Sequence, residues 1–203
     1  MDNVNEGQKK ALQDLQTIKG FLEEGQQALS DNGFHFMLWG ILIPVATLGY
    51  RALLAWTQSG TAIMSIYWMC ICLAGALVSV IAGVRTGKKS RSKGYAVRVN
   101  ALFWSGFFLS ILVAIVVTFM GMKEASPMLL AYIALILGLA YWIHGSMIQL
   151  LWFRLLSIGW WVVAIAIAGN SWNIASTLLA SATFALSFIP GFILYRKQAK
   201  RNR

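Results

Sequence analysis

From residue 34 onward the chain is divided into six apolar stretches of about twenty residues each: 34–56, 61–84, 101–120, 127–145, 149–168 and 174–195. Twenty residues of α-helix rise about 30 Å, the thickness of a bilayer's hydrocarbon core. Repeated six times, that length predicts an all-α, polytopic transmembrane bundle over residues 33–195. A cytoplasmic amphipathic helix within 1–32 precedes it and a basic tail, 196–203, follows. Composition agrees, with 58% hydrophobic and only 12% charged residues, where soluble domains run nearer one-quarter charged.

Charge gives the bundle an orientation. The stretch RTGKKSRSKGYAVRVN (85–100) carries Arg85, Lys88, Lys89, Arg91, Lys93 and Arg98 and no acid. Such a short basic loop is retained in the cytoplasm. Six crossings then put the N-terminus, the connection near Gly145 and the tail on the same side. Only Arg51 and Lys123, of 17 Lys and Arg, fall outside. The expected location is the cytoplasmic (inner) membrane, with both termini cytoplasmic. A pI near 10 raises nucleic acid as a partner. Here, though, the bases of the loop and of the tail (Arg196, Lys197, Lys200, Arg201) flank apolar runs, which favours anionic lipid headgroups.

Six of the seven acids precede residue 33. Within 7–30, Leu15, Ile18, Leu22 and Leu29 recur at helical spacing and make one apolar stripe. Gly20 and Gly25 weaken it, so the stripe is expected to pack on a partner or on the cytoplasmic mouth of the bundle. No apolar signal-peptide core is visible in these residues.

Within the spans, Pro44 is expected to kink the first and Pro190 to break the last. Ser126-Pro127 reads as the cap and first position of the fourth. Gly75, Ser79 and Gly83, spaced by four, form a smooth strip for helix packing. Cys70 and Cys72 point about 200° apart on a helix and read as packing residues, not as a bridge. The tryptophans cluster near span ends and read as interfacial anchors.

Little catalytic chemistry is visible. Glu124 is the lone acid beyond residue 32 and lies in a turn, so no carboxylate is left in the spans for proton or metal chemistry. Motifs for zinc hydrolysis or phosphate binding are missing, and the expectation is a protein that is not an enzyme and carries no cofactor. His35 and His144 fall at similar depth near the cytoplasmic side. Facing helices could make them haem or metal ligands, but the favoured reading is two amphipathic rings at headgroup level. Arg51 and Arg154 each lie about one turn inside a span and are expected to snorkel. Arg154, on the side of the histidines, is the better candidate for a polar site.

Three segments, SDNGFHFMLWGILIPVATLGY, the 85–100 loop leading into ALFWSGF, and SFIPGFILYRK, together resemble a family of small six-span membrane proteins of Bacteroidota-type bacteria. Its members share an "NGF…LWG" entry to the first span and a "PG-[FY]-[IL]-L" exit from the last. The resemblance implies an N-terminal soluble helix and no assigned activity. Genes of that family beside a small winged-helix regulator imply an envelope-response role. The expectation is a regulatory or scaffolding protein with a protein partner or a second copy. A small transporter or channel subunit is the alternative, and a haem or metal protein the third reading.

Overall fold

The computed structural model describes residues 12–16, 19–20, 33–57, 61–89, 95–121 and 127–201, and no strand occurs among them. The helices are α1 (Gly33–Thr57), α2 (Thr61–Lys89), α3 (Tyr95–Gly121), α4 (Pro127–Met147), α5 (Leu151–Ala168), α6 (Trp172–Thr183) and α7 (Ile189–Arg201). A π-helical turn, Phe184–Phe188, joins the last two. Six helical segments are long and apolar enough to cross a membrane: Gly33–Trp56, Ile66–Arg85, Arg98–Val117, Pro127–Met147, Leu151–Ala168 and Trp172–Lys197. The chain is thus an all-α transmembrane bundle.

Helix ends depart from the sequence reading in two places. The basic stretch is mostly helical: α2 runs on to Lys89 and α3 begins at Tyr95, with 90–94 outside the described residues. Lys and Arg are good helix formers, and nothing ends a helix simply because it has left hydrocarbon. Pro190 does not break the last span, which continues as helix to Arg201. The π turn ends two residues before Pro190, with the Ile189 N–H bonded to the Phe184 carbonyl five residues back. A wider turn is one way a helix accommodates a missing proline N–H. The apolar stripe of the N-terminal helix falls largely outside the described residues; Leu12 and Leu15, within them, are exposed.

Side chains cannot sort a membrane bundle into inside and outside by hydrophobicity, because lipid is as apolar as leucine. Close backbone approach does the sorting instead. Along α1 and the last span, a Cβ on Gly33 would lie 2.7 Å from the Tyr195 nitrogen, one on Gly191 2.7 Å from the Met37 nitrogen, and one on Gly40 2.6 Å from the Phe188 Cα. These three crossings run antiparallel and put residues 33 and 195 at the same end of the bundle. α4 and α5 form a second tight pair, in which a Cβ on Gly145 would lie 2.6 Å from the Arg154 nitrogen and one on Gly138 would strike the Trp161 indole. Their connection turns through Gln149 at φ 55°.

α2 leans on α1 through Gly75, whose added Cβ would meet Leu42 at 2.5 Å, and through Ser79, which accepts a 3.2 Å hydrogen bond from the Trp39 indole. Gly83 has open space around it and takes no part. α3 meets α1 through ring contacts, Trp104 on Phe36 and Phe108 on Trp39. Only 6% of the α2 span and 0% of the α3 span is buried, against 44% for α4.

Candidate functional site

Phe36, one residue past His35 on α1, gathers a cluster of rings from three other helices. Its centroid lies 5.6 Å from Trp104 (α3), 5.3 Å from Tyr141 and 5.5 Å from His144 (α4), and 5.1 Å from Phe153 (α5). Tyr141 and Phe153 stack at 4.9 Å with an interplanar angle of 2°. Such contacts add about 0.5–1.5 kcal/mol per pair beyond burial itself. The Tyr141 hydroxyl donates a 2.8 Å hydrogen bond to Ser187 Oγ in the π turn. The cluster therefore ties the α4–α5 pair to the pair formed by α1 and the last span.

His144 is the one imidazole in the cluster. Its side chain has no exposed surface, and neither ring nitrogen has a hydrogen-bond partner. Phe36, Trp104 and Phe153 lie within 5.6 Å of its ring and Phe103 stacks at 6.5 Å. The Trp104 indole nitrogen is buried without a partner too. This corrects the reading of His144 as a ring at headgroup level: it is a core residue. His35 is half-buried and its ring contact is Phe34. Adjacent residues on a helix point about 100° apart, so Phe36, not His35, meets His144. Among the described residues the two histidines share no ring neighbour. Among the described residues, no three His, Cys, Asp or Glu side chains gather to hold a metal ion.

The two in-span arginines differ. Arg51 Nη2 bridges from α1 to the start of α6, donating to the Asn173 carbonyl at 2.7 Å and to Thr177 Oγ1. It is a tie between helices, not a free snorkelling chain. Arg154, near the start of α5, lies over the Trp142 ring at 5.1 Å, and its Nε is buried without a partner.

The antiparallel and ring contacts above bring the Arg85 end of α2, the Arg98 end of α3, Arg154 and the Arg196 end of α7 to the end of the bundle that carries Gly33. Arg85, Arg98, Arg196, Lys197 and Lys200 are exposed there. Arg196 stacks on Phe192 at 5.0 Å. Lys88 and Lys89 lie in the last turn of α2 and Arg201 ends α7. The side chains of these three, and residues Arg91 and Lys93, lie outside the described residues.

Other sequence expectations sort unevenly. Gly75 and Ser79 pack as a strip should, and Gly83 does not. Cys70 and Cys72 are exposed on α2 and not packed in the bundle. Trp160 is fully buried and serves the core, not an interface. The Tyr141–Ser187 bond and the Phe36 cluster escaped the sequence reading. The seven-residue spacings of Gly33 to Gly40 and of Gly138 to Gly145 were the available signal, since each places two glycines on one helix face.

These features define a six-span α-helical membrane protein with rings filling its interior and with Arg85, Arg98, Arg196, Lys197 and Lys200 exposed at one end. Comparison with models of known protein families, with curated proteins and with solved structures finds no match.

Proposed function

We propose that this is a non-enzymatic regulatory or scaffolding protein of the cytoplasmic membrane, which engages a partner at its basic end. The observation that carries this reading is the exposed group Arg85, Arg98, Arg196, Lys197 and Lys200, for which no carboxylate pairing occurs among the described residues. The reluctance of such cations to cross a bilayer supports a cytoplasmic side for that end and for both termini. The acids of residues 1–32 are then on the same side, as a counter-charge for the chain's own basic end or for that of a second copy. The ring cluster around Phe36 supports a fixed scaffold, since it fills the bundle where the helices meet. Crosslinking in native membranes from positions 98 and 197, with and without residues 1–30, tests it. The deletion is expected to change the captured partner or the oligomeric state. Identical capture and identical oligomeric state with both chains would overturn the proposal.

A small transporter or channel subunit is the second reading. It is favoured by the interrupted regular hydrogen bonding at Pro44 in α1 and at the π turn before Pro190, since transporters build sites at such irregularities. Solute flux into liposomes carrying the purified chain tests it, and absence of flux for both ions and small metabolites counts against it.

A further inference from the structure

We propose that Arg154, held on Trp142 at the outer face of α4 and α5, is a binding site for the phosphate of a membrane phospholipid. The inference needs only that the six spans lie in a bilayer; it does not depend on what the basic end engages.

The two in-span arginines form a natural comparison. Arg51 finds acceptors inside the protein, the Asn173 carbonyl and Thr177 Oγ1. Arg154 finds none among the described residues: its Nε is buried without a partner and its side chain rests on the Trp142 ring at 5.1 Å, while its own carbonyl accepts from Ser157 Oγ at 2.7 Å. A guanidinium presents five N–H donors in a rigid fork suited to phosphate.

The site is also built, not merely charged. Trp142 stacks on Trp161 at 6.0 Å and 29°. Trp161 in turn fits only because residue 138 has no Cβ. The Arg154 backbone is fixed against Gly145 and by its N–H bond to the Leu150 carbonyl at 3.0 Å. Gly138, Trp161, Trp142 and Arg154 thus form a ladder that holds the guanidinium at one place on the lipid-facing surface. Arg154 is the fourth residue of α5, about 4.5 Å from the helix end at 1.5 Å per residue. An arginine within a turn of a span end can reach the level of a lipid phosphate and its ester groups. The exposed cations at the same end raise the local concentration of anionic lipid.

The test uses the full chain in detergent micelles. Native mass spectrometry would follow titration with phosphatidylglycerol, with diacylglycerol of the same acyl chains, and with inorganic phosphate. The expected result is one tightly held phosphatidylglycerol, with diacylglycerol at least tenfold weaker and inorganic phosphate not retained. Arg154→Gln should lose at least tenfold in occupancy, Trp142→Leu several-fold, and Arg51→Gln nothing. Unchanged phosphatidylglycerol occupancy in a folded Arg154→Gln chain would overturn the proposal. So would equal retention of diacylglycerol by the unsubstituted chain, a comparison that decides the matter even where the variant does not fold. Retention of inorganic phosphate would mark a soluble-anion site and overturn the lipid assignment.

Discussion

Gly40 and Phe188 meet backbone to backbone across the first and last spans, at a separation where a methyl group on residue 40 would lie 2.6 Å from the Phe188 Cα. Residue 188 closes the π turn, so the widest part of the last span is set against the barest part of the first. Gly40→Ala must therefore push two helices apart. The expected loss is about 1–3 kcal/mol, the usual range for overpacking. Thermal unfolding in detergent checks it. Gly83→Ala and Gly106→Ala, where a Cβ meets nothing within 4 Å, serve as controls and should lose no stability, gaining at most about 1 kcal/mol from helix propensity.

Tyr141→Phe removes the buried hydroxyl that donates to Ser187 Oγ. Interhelical hydrogen bonds in membranes contribute about 0.6 kcal/mol on average and up to about 1.7. A double-mutant cycle with Ser187→Ala should return a coupling in that range. Zero coupling would mean that the bond does not join the two helix pairs.

His144 gives a prediction of shape against chemistry. Both ring nitrogens lack partners and four aromatic residues surround the ring. His144→Phe keeps most of the volume and removes two unsatisfied polar atoms, so unfolding stability should be unchanged or higher. His144→Ala should cost about 3 kcal/mol through the void it leaves. A loss on His144→Phe as large as that on His144→Ala would show that the imidazole is held by a polar partner.

Arg51 ties α1 to a main-chain acceptor, the Asn173 carbonyl, and to the Thr177 hydroxyl. Asn173→Ala should therefore leave the tie intact, while Thr177→Val should weaken it and Arg51→Gln should remove it. Exposure holds the expected loss on Arg51→Gln to about 0.5–1 kcal/mol. Comparing the three variants in one unfolding series separates a backbone acceptor from a side-chain one.

The six spans were legible because length and apolar composition alone define a crossing, and Pro127 at the head of α4 followed from its ring chemistry. Which face of each span turns inward was not legible. Every face of these helices is apolar, so Trp160 in the core and Trp56 at the surface read alike, and His144 read as interfacial from its distance to a span end. Glycine held the missing information: Gly33, Gly40 and Gly191 mark the crossing of the first and last spans. Pro190 misled for a different reason. Its cost was judged on a regular helix, whereas the preceding π turn rearranges the hydrogen bonds around it.

α2 and α3 rest on the other helices along narrow seams, with few or none of the residues in their spans fully buried. Helices so placed take their tilt from the thickness of the surrounding hydrocarbon. A thicker or thinner membrane would swing these two spans while leaving the glycine-locked crossings unmoved. Arg85 and Arg98, exposed at the ends of these two helices, would move with that swing.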